Sequence, residues 1–452
     1  MSRLDDIRKD FRDRGIRKVK IGGFDVDCVL RGKYVSIDKF LSAAEKGLGF
    51  CDVIFGWDVV DALYDDVKVT GWKTGYPDVE ARIDLDTYRV TPWEPDTATF
   101  LLDFWTKDGK PHPACPRNLL KGILARAKKY KVMFAAEFEF FVFSETPHSL
   151  REKSFKHLQP IFPGMFGYSW LREGQHRDLL HDLLDTLKQF DIELEGLHTE
   201  TGPGVFEAAI RYDDALRAAD KAALLKTCVK QVAFHHSLSA TFMAKFNADL
   251  PGCSGHLHQS LWDADGKKNL FADTKRPSGV SRLLEHWVGG QIALMPEVTA
   301  LISPTVNSYK RYVPGVWAPL NATWGFDNRT GAIRVIANTG QGTASTRVEH
   351  RQSAADMNPY VAMAAMIATG LHGIEKKIDP PAPLSDDAAK AKAPRLPRTL
   401  REATALLSGS KLARQLVGED FVDHYVRTRE WECRQYEKAV TDWELARYFE
   451  TT

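Results

Sequence analysis

The stretch that most constrains this chain is Met133 to Phe143, MFAAEFEFFVF, an apolar and aromatic run broken by two carboxylates, Glu137 and Glu139. Residues at i and i+2 of a β-strand share one face, so both acids enter whatever that sheet encloses. Like charges so close together in a low-dielectric setting repel and raise each other's pKa unless a cation sits between them. The alternative is a half-exposed strand with its acids in water. Phe138, Phe140 and Phe141 leave it no obviously polar face, and the pattern therefore points to a metal site.

The rest of the chain bounds what that site can serve. Its 452 residues suffice for two or three domains, or one large core with a satellite. Lysine and arginine number 61 against 60 acids, a net charge of +1, so neither a nucleic acid nor a membrane surface is expected as partner. No apolar run approaches the ~20 residues that span a bilayer. The opening MSRLDDIRKDFRDRG is charged and lacks the apolar stretch of a signal peptide, so a cytoplasmic protein is expected. The cysteines at 28, 51, 115, 228, 253 and 433 form no C-x-x-C pair and read as reduced thiols.

Taken in order, residues 1 to about 110 read as a small mixed-sheet domain. An opening helix, Leu4 to Phe11, precedes strand candidates Arg17 to Ile21, Asp25 to Leu30, Cys51 to Phe55 and Ala81 to Asp84. Pro116 opens a helix, Arg117 to Tyr130, that feeds the carboxylate strand. Beyond it the pattern predicts a helix over Gln175 to Phe190, a strand over Ile192 to Thr199 and a long helix over Asp213 to Lys245. His235 and His236 fall inside that helix and receive no role. Ile378 to Pro397 reads as a surface connector. The terminal segment Leu412 to Glu450 carries Trp431, Tyr436, Trp443, Tyr448 and Phe449, aromatic enough to predict burial, with a partner subunit as one way to achieve it.

Further polar groups fall into short segments. HTETGPGVFE places Glu200 and Glu207 on either side of a Gly-Pro-Gly turn, which lets the chain present both to one point, although an exposed loop acid and an unrelated strand acid fit equally. GCSGHLHQSLW puts His256 and His258 at i and i+2. Cys253 raises zinc, but no second C-x-x-[CH] follows, and the surplus of carboxylates favours magnesium or manganese. TRVEHRQSAADMNPY alternates Arg347, Glu349 and Arg351, and Arg311, Arg329 and Arg334 lie upstream. Arginines on short strands beside hard-metal ligands suit an anionic substrate and phosphoryl transfer. No G-x-x-x-x-G-K-[ST] is present, and the Gly-x-Gly pairs at 202/204 and 340/342 lack a strand-to-helix context.

EFEFFVF, HTETGPGVFE, GHLHQSLW, NSYKRYVPG, DNRTGAIR and RVEHRQSAADMNPY occur in an order that resembles the type I glutamine synthetase family, over residues 30 to 375. LRGKYV near residue 30 is similar to that family's N-terminal β-grasp domain. The resemblance implies an α+β fold: a β-grasp domain over 1–110 and a catalytic domain over 111–452 with a curved antiparallel sheet flanked by helices. It implies stacked rings of ten or twelve copies, each active site built between one subunit's sheet and its neighbour's N-terminal domain. Carried over by position, Glu139, Glu200 and Glu207 match the ligands of one divalent ion (Mg2+ or Mn2+), and Glu137, His256 and Glu349 those of a second. Tyr212, His258, Ser260, Arg334 and Arg347 fall where the family holds ATP. Gly252, Arg311, Arg329 and Arg351 fall where it holds glutamate and the transferred phosphate.

The departures are as informative as the matches. Ammonia-using members carry a glutamate after the proline-glycine turn, and this chain has Trp317 there, in PGVWAP. An indole takes no proton but offers an apolar face to an alkyl group and a π surface to a cation. The second ammonium ligand of the family corresponds to Asp58 in FGWDVVDALY, with Asp61 close by. Pro251 replaces a usual asparagine and Ala344 a usual lysine, which leaves open an analogue of glutamate as acceptor. The connector at 378–397 has no tyrosine, which argues against regulation by tyrosine adenylylation. The expectation is an ATP-dependent ligase joining the γ-carboxylate of glutamate to an organic amine. Glutamine synthesis from ammonia and a silent ring are the rivals.

Overall fold

Two sheets formed from successive parts of the chain carry the architecture. The computed structural model describes residues 2–337 and 342–452, so Gly340 of the second Gly-x-Gly pair lies outside the described residues. The first sheet holds β1 (Lys18–Phe24), β2 (Leu30–Val35), β3 (Leu48–Cys51), β4 (Asp78–Thr91) and β5 (Glu94–Trp105). Their order is β2-β1-β5-β4-β3, with β1 and β5 parallel and the other neighbours antiparallel, as in a β-grasp unit. Helices Arg3–Arg14 and Ile37–Lys46 close its core around Phe11, Phe40 and Phe100, each started by a serine whose hydroxyl accepts a backbone N–H.

The second sheet holds β6 (Lys131–Phe143), β7 (Leu194–Thr199), β8 (Val205–Ile210), β9 (Asp213–Asp214), β10 (Ser239–Thr241), β11 (Gly255–Trp262), β12 (Trp324–Phe326), β13 (Ile333–Ile336) and β14 (Arg347–His350). The order runs β12-β13-β14-β11-β6-β8-β7, with β9 and β10 also pairing to β6. Every pairing is antiparallel except β12 with β13. Along β6 the alternation is clean: Phe134, Ala136, Phe138 and Phe140 are buried, while Ala135, Glu137 and Glu139 lie on the partly open face. Helices Ala215–His235, Arg282–Ile302 and Pro359–Lys376 form the apolar layer beyond the buried face. The last two approach so closely that a Cβ on Gly290 would lie 2.2 Å from the Thr369 carbonyl oxygen.

A buried guanidinium ties the first sheet to the helical layer behind the second. Arg117, on the Pro116–Arg126 helix, donates to Asp84 of β4 (2.8 Å), Asp103 of β5 (2.7 Å) and Asp220 of the Ala215–His235 helix (2.8 Å). Tyr360 adds a hydroxyl donor to Asp220 at 2.7 Å, so the charges are hydrogen-bonded on all sides.

Several local expectations are corrected. Asp25 to Val29 is a turn, with Leu30 already the first residue of β2, because the Asp25 carboxylate accepts the Asp27 and Val29 N–H groups and Cys28 adopts φ 65°. Cys51 ends β3, and Asp52–Phe55 is a 3-10 turn rather than strand. The helix expected to reach Lys245 stops at His235. Ser237 then takes φ 57°, and β10 joins the edge of β6, where sheet pairing overrides helix propensity. The aromatic C-terminus divides: Phe421, Tyr425 and Cys433 are buried, whereas Trp443 is 62% and Phe449 80% exposed within this chain. No described helix is long and apolar enough to cross a membrane.

Burial also sets an acid limit on stability. His112, His350 and His424 are all nearly inaccessible, and burial holds them near 4, 3 and 3 respectively. A base depressed in the fold contributes stability that is complete above its unfolded value near 6.5 and is lost as pH falls. Asp25, pushed up to about 7 by burial and Asp27, and the raised Glu139, Asp356 and Glu432 bind protons in the fold and oppose this. The three histidines are expected to lower stability as pH falls from about 6.5 toward 4, by up to about 1.4 kcal/mol per pH unit each. Calorimetry at pH 7.5, 6 and 5 checks this, and a flat Tm would exclude it.

Candidate active site

The register of the second sheet assembles the site. Glu137 of β6 stands opposite His256 of β11, His258 of β11 opposite Glu349 of β14, and Glu349 opposite Arg334 of β13. On the other side Glu139 of β6 stands opposite Glu207 of β8, and Glu207 opposite His198 of β7. Gly202 and Gly204, at φ 144° and 68°, turn β7 into β8, so Glu200 faces Glu207 across a tight hairpin. Acids and imidazoles from separate segments thus line one trough.

Distances bear this out. His256 Nδ1 lies 3.6 Å from Glu137 and 3.5 Å from Glu349, and His258 Nε2 lies 3.0 Å from Glu137. His198 Nε2 lies 3.2 Å from Glu207. Among the described residues three overlapping groups have ligand atoms within 4.8 Å of one another: Glu137, His258 and Glu349; Glu137, Glu207 and His256; His198, Glu200 and Glu207. Glu139 is outside those groups. Its Oε2 accepts the Ser254 N–H at 2.6 Å, directly across from Glu207.

The electrostatics differ along the trough. Burial pushes the Glu139 carboxyl up, and Glu207 adds to the shift against the opposing His256. Burial also acts on Glu137, but His258 and His256 outweigh it and hold that carboxyl well below the usual range. Glu349, 1% exposed, is likewise held down to about 2 by the two imidazoles and Arg351 despite its burial. His198 is raised to about 9, burial being overcome by Glu207. Five glutamates with imidazoles between them make a hard, anionic donor set that fits divalent cations of the magnesium or manganese type. Millimolar Mg2+ or Mn2+ is expected to raise the Tm of metal-free protein by several degrees through relief of the Glu139–Glu207 repulsion. Glu139→Gln should remove much of that response, read by differential scanning fluorimetry.

The arginines divide by what they touch. Arg334 donates to Glu349 (2.9 Å) and Asp327 (2.8 Å), while Arg351 donates to Glu349 and to the Arg329 carbonyl (3.0 Å). Arg347 Nε lies 3.1 Å from His258 Nδ1, on the far side of the ring from Glu137. Arg311 donates to the Gln352 and Arg351 carbonyls at 2.8 and 3.2 Å, and its Cβ would lie 3.2 Å from one built on Gly252. Arg329 is exposed beside the trough, where its charge reaches Tyr168.

A cavity of about 370 Å³ opens from Glu137 outward, lined by Glu195, Tyr212, His258, Ser260, Trp262 and Arg347 among others. Four of the five residues expected to hold a nucleotide, Tyr212, His258, Ser260 and Arg347, line it together. Arg334 does not; it braces Glu349 instead. Trp317 is 67% exposed and has no ring or ion contact described. Asp58 is apart from the trough, its Oδ1 accepting the Val60 and Ala62 N–H groups and its Oδ2 the Trp431 indole at 3.0 Å.

Two residues escaped the sequence reading. His198 stands two before Glu200, the same i, i+2 spacing that singled out the other pairs. Tyr168, from an irregular loop, stacks on His198 with centroids 4.3 Å apart, and nothing in its local sequence marks it.

Comparison with known proteins fits this geometry. The description "Glutamine synthetase, catalytic domain" matches residues 113–448. Type-1 glutamine synthetase 2 of Dictyostelium discoideum is 48% identical over 96% of this chain and 83% of its own length. Glutamate–isopropylamine ligase of a Pseudomonas species is 38% identical over 98% and 97% respectively. Gamma-glutamylethanolamide synthetase of Streptomyces coelicolor is 37% identical over 94% and 91%. Among solved structures, a GmaS complex with ADP superposes with a TM-score of 0.85 at 29% identity, covering 98% of both chains. A β-grasp sheet, a curved antiparallel sheet with one carboxylate-imidazole trough, and these similarities together assign the chain to the glutamine synthetase family of ATP-dependent ligases.

Proposed function

We propose that this enzyme joins the γ-carboxylate of L-glutamate to an organic primary amine, through a γ-glutamyl phosphate, releasing ADP and phosphate. Trp317 carries the reading of the nucleophile: an exposed indole stands where ammonia-using members have a glutamate. Glu139, Glu200 and Glu207 would hold one divalent ion and Glu137, His256 and Glu349 a second, supplying charge neutralisation around the transferred phosphoryl group. ATP would enter the cavity lined by Tyr212, His258, Ser260 and Arg347, with Arg334 fixing the floor through Glu349. Arg311, beside Gly252, and Arg351 would receive glutamate, and the exposed Arg329 would face the phosphoryl group.

Transfer of the γ-phosphoryl group to the carboxylate turns a poor electrophile into an acyl phosphate. The amine then adds, phosphate leaves, and Asp58 of a neighbouring subunit would take the proton. We also propose a homo-oligomer of stacked rings of ten or twelve, a domain boundary near residue 110 and a cytoplasmic location. The clustering of five of the six expected ligands in the close groups, with Glu139 opposite Glu207, disfavours a silent ring. Similarity to a glutamine synthetase at 48% identity keeps ammonia as the second reading.

Phosphate release with ATP, glutamate, Mg2+ and a panel of ammonium, methylamine, isopropylamine, ethanolamine, polyamines and aromatic amines tests it. A short-chain organic amine is expected to give a KM at least about tenfold below that of ammonium. A low KM for ammonium would favour glutamine synthesis, and silence with every amine would leave the ring inactive or another carboxylate as acceptor.

A further inference from the structure

The carboxylate read as the proton acceptor has few lone pairs to spare. Asp58 is 7% exposed, and both lone pairs of Oδ1 are met by the backbone N–H groups of Val60 (2.9 Å) and Ala62 (3.0 Å), an Asx turn. One lone pair of Oδ2 is met by the Trp431 indole N–H at 3.0 Å. One direction on Oδ2 remains.

Trp431 belongs to the Glu419–Lys438 helix, which runs along the segment carrying Asp58 and holds it at several points. Arg434 pairs with Asp65 at 2.5 Å, Arg427 with Asp66, and Asp423 with Lys68 at 3.2 Å. Asp65 and Asp66 are more than half exposed, so each of those pairs contributes only ~0–1 kcal/mol. The indole contact is different. Its ring is set edge-on against Tyr64, centroids 6.0 Å apart at 89°, and the Tyr64 hydroxyl donates to Asp27, itself paired with the buried Arg429. The donor is therefore fixed in direction by a chain of part-buried contacts.

We propose that Trp431 is a positioning residue for the amine step: its N–H orients Asp58 so that the last Oδ2 lone pair has one direction in which to receive the amine. The C-terminal helix of one subunit would in this way tune the amine site of its neighbour. The proposal rests on the reading of Asp58 given above.

Steady-state kinetics of the assembled enzyme test it. Trp431→Phe keeps the packing on Tyr64 and removes the donor. The amine KM is expected to rise about tenfold, with kcat and the KM values for ATP and glutamate within about twofold. Asp58→Asn should raise the amine KM at least as far, and Trp431→Phe added to it should change nothing more. Arg427→Ala, which removes the same helix's pair with Asp66 and leaves the indole N–H, should leave the amine KM unchanged even if Tm falls. If Trp431→Phe does not assemble, benzothienylalanine at 431 removes the N–H alone. An unchanged amine KM in the 431 variants, beside a raised one in Asp58→Asn, overturns the proposal. An unchanged amine KM in Asp58→Asn overturns the reading of Asp58 itself, and the proposal with it.

Discussion

Glu349→Gln is expected to lower the rate of phosphate release about a thousandfold, the largest effect of any single substitution in the site. Glu349 is 1% exposed, lies 3.5 Å from His256, and receives Arg334 at 2.9 Å and Arg351. Its carboxyl is held near 2, so it is ionised throughout the working pH range. Glutamine keeps the shape but removes the charge, leaving two guanidiniums near each other with no anion between them. Losing one partner of a buried charge network costs about 3–5 kcal/mol, so Tm should fall together with activity. The metal dependence separates the two effects: half-saturating Mg2+ should rise steeply in the folded fraction of the variant. Activity within about tenfold of the parent at unchanged Mg2+ would remove Glu349 from the ligand set.

Trp317→Glu is expected to reverse the choice of nucleophile. An alkyl group laid against an indole face gains about 1.5–3 kcal/mol, whereas a carboxylate in that place would be desolvated by the alkyl group and would attract ammonium. The ratio of kcat/KM for the preferred amine to that for ammonium should drop at least about a hundredfold. Most of the loss should appear in the amine KM, since the phosphoryl-transfer half of the site is untouched. Measuring both substrates in both proteins decides the matter. An unchanged ratio would mean that Trp317, exposed in the single chain, does not reach the amine, and that the pocket is made by other residues.

What could be read from the chain alone was which side chains share a face. Glu137 with Glu139, His256 with His258, and Arg347 with Glu349 all follow from strand periodicity, and the resemblance supplied the pairing into two ligand sets. The same spacing relates His198 to Glu200, yet a histidine beside an unassigned turn carries no mark of its partner. Only the register of β7 on β8 places it against Glu207. Local propensity misjudged the segment after His235 for a related reason: Ser239 to Thr241 leaves the helix because the edge of β6 offers it backbone partners.

Arg334 and Asp58 show the limit from the other direction. Arg334 is expected beside the nucleotide from its position in the sequence, and the fold sets its guanidinium against Glu349 and Asp327. Asp58 reads as an ammonium ligand by its position in the sequence, and in the fold it also caps a turn and receives an indole that lies 373 residues away in sequence. The facing of a strand residue is decided by a two-residue repeat written in its own neighbours. Which group it meets is decided by strand register and helix packing, and these are set by apolar contacts spread over the whole core. Sequence therefore determined the chemistry available to this protein, and tertiary structure decided which groups were close enough to use it.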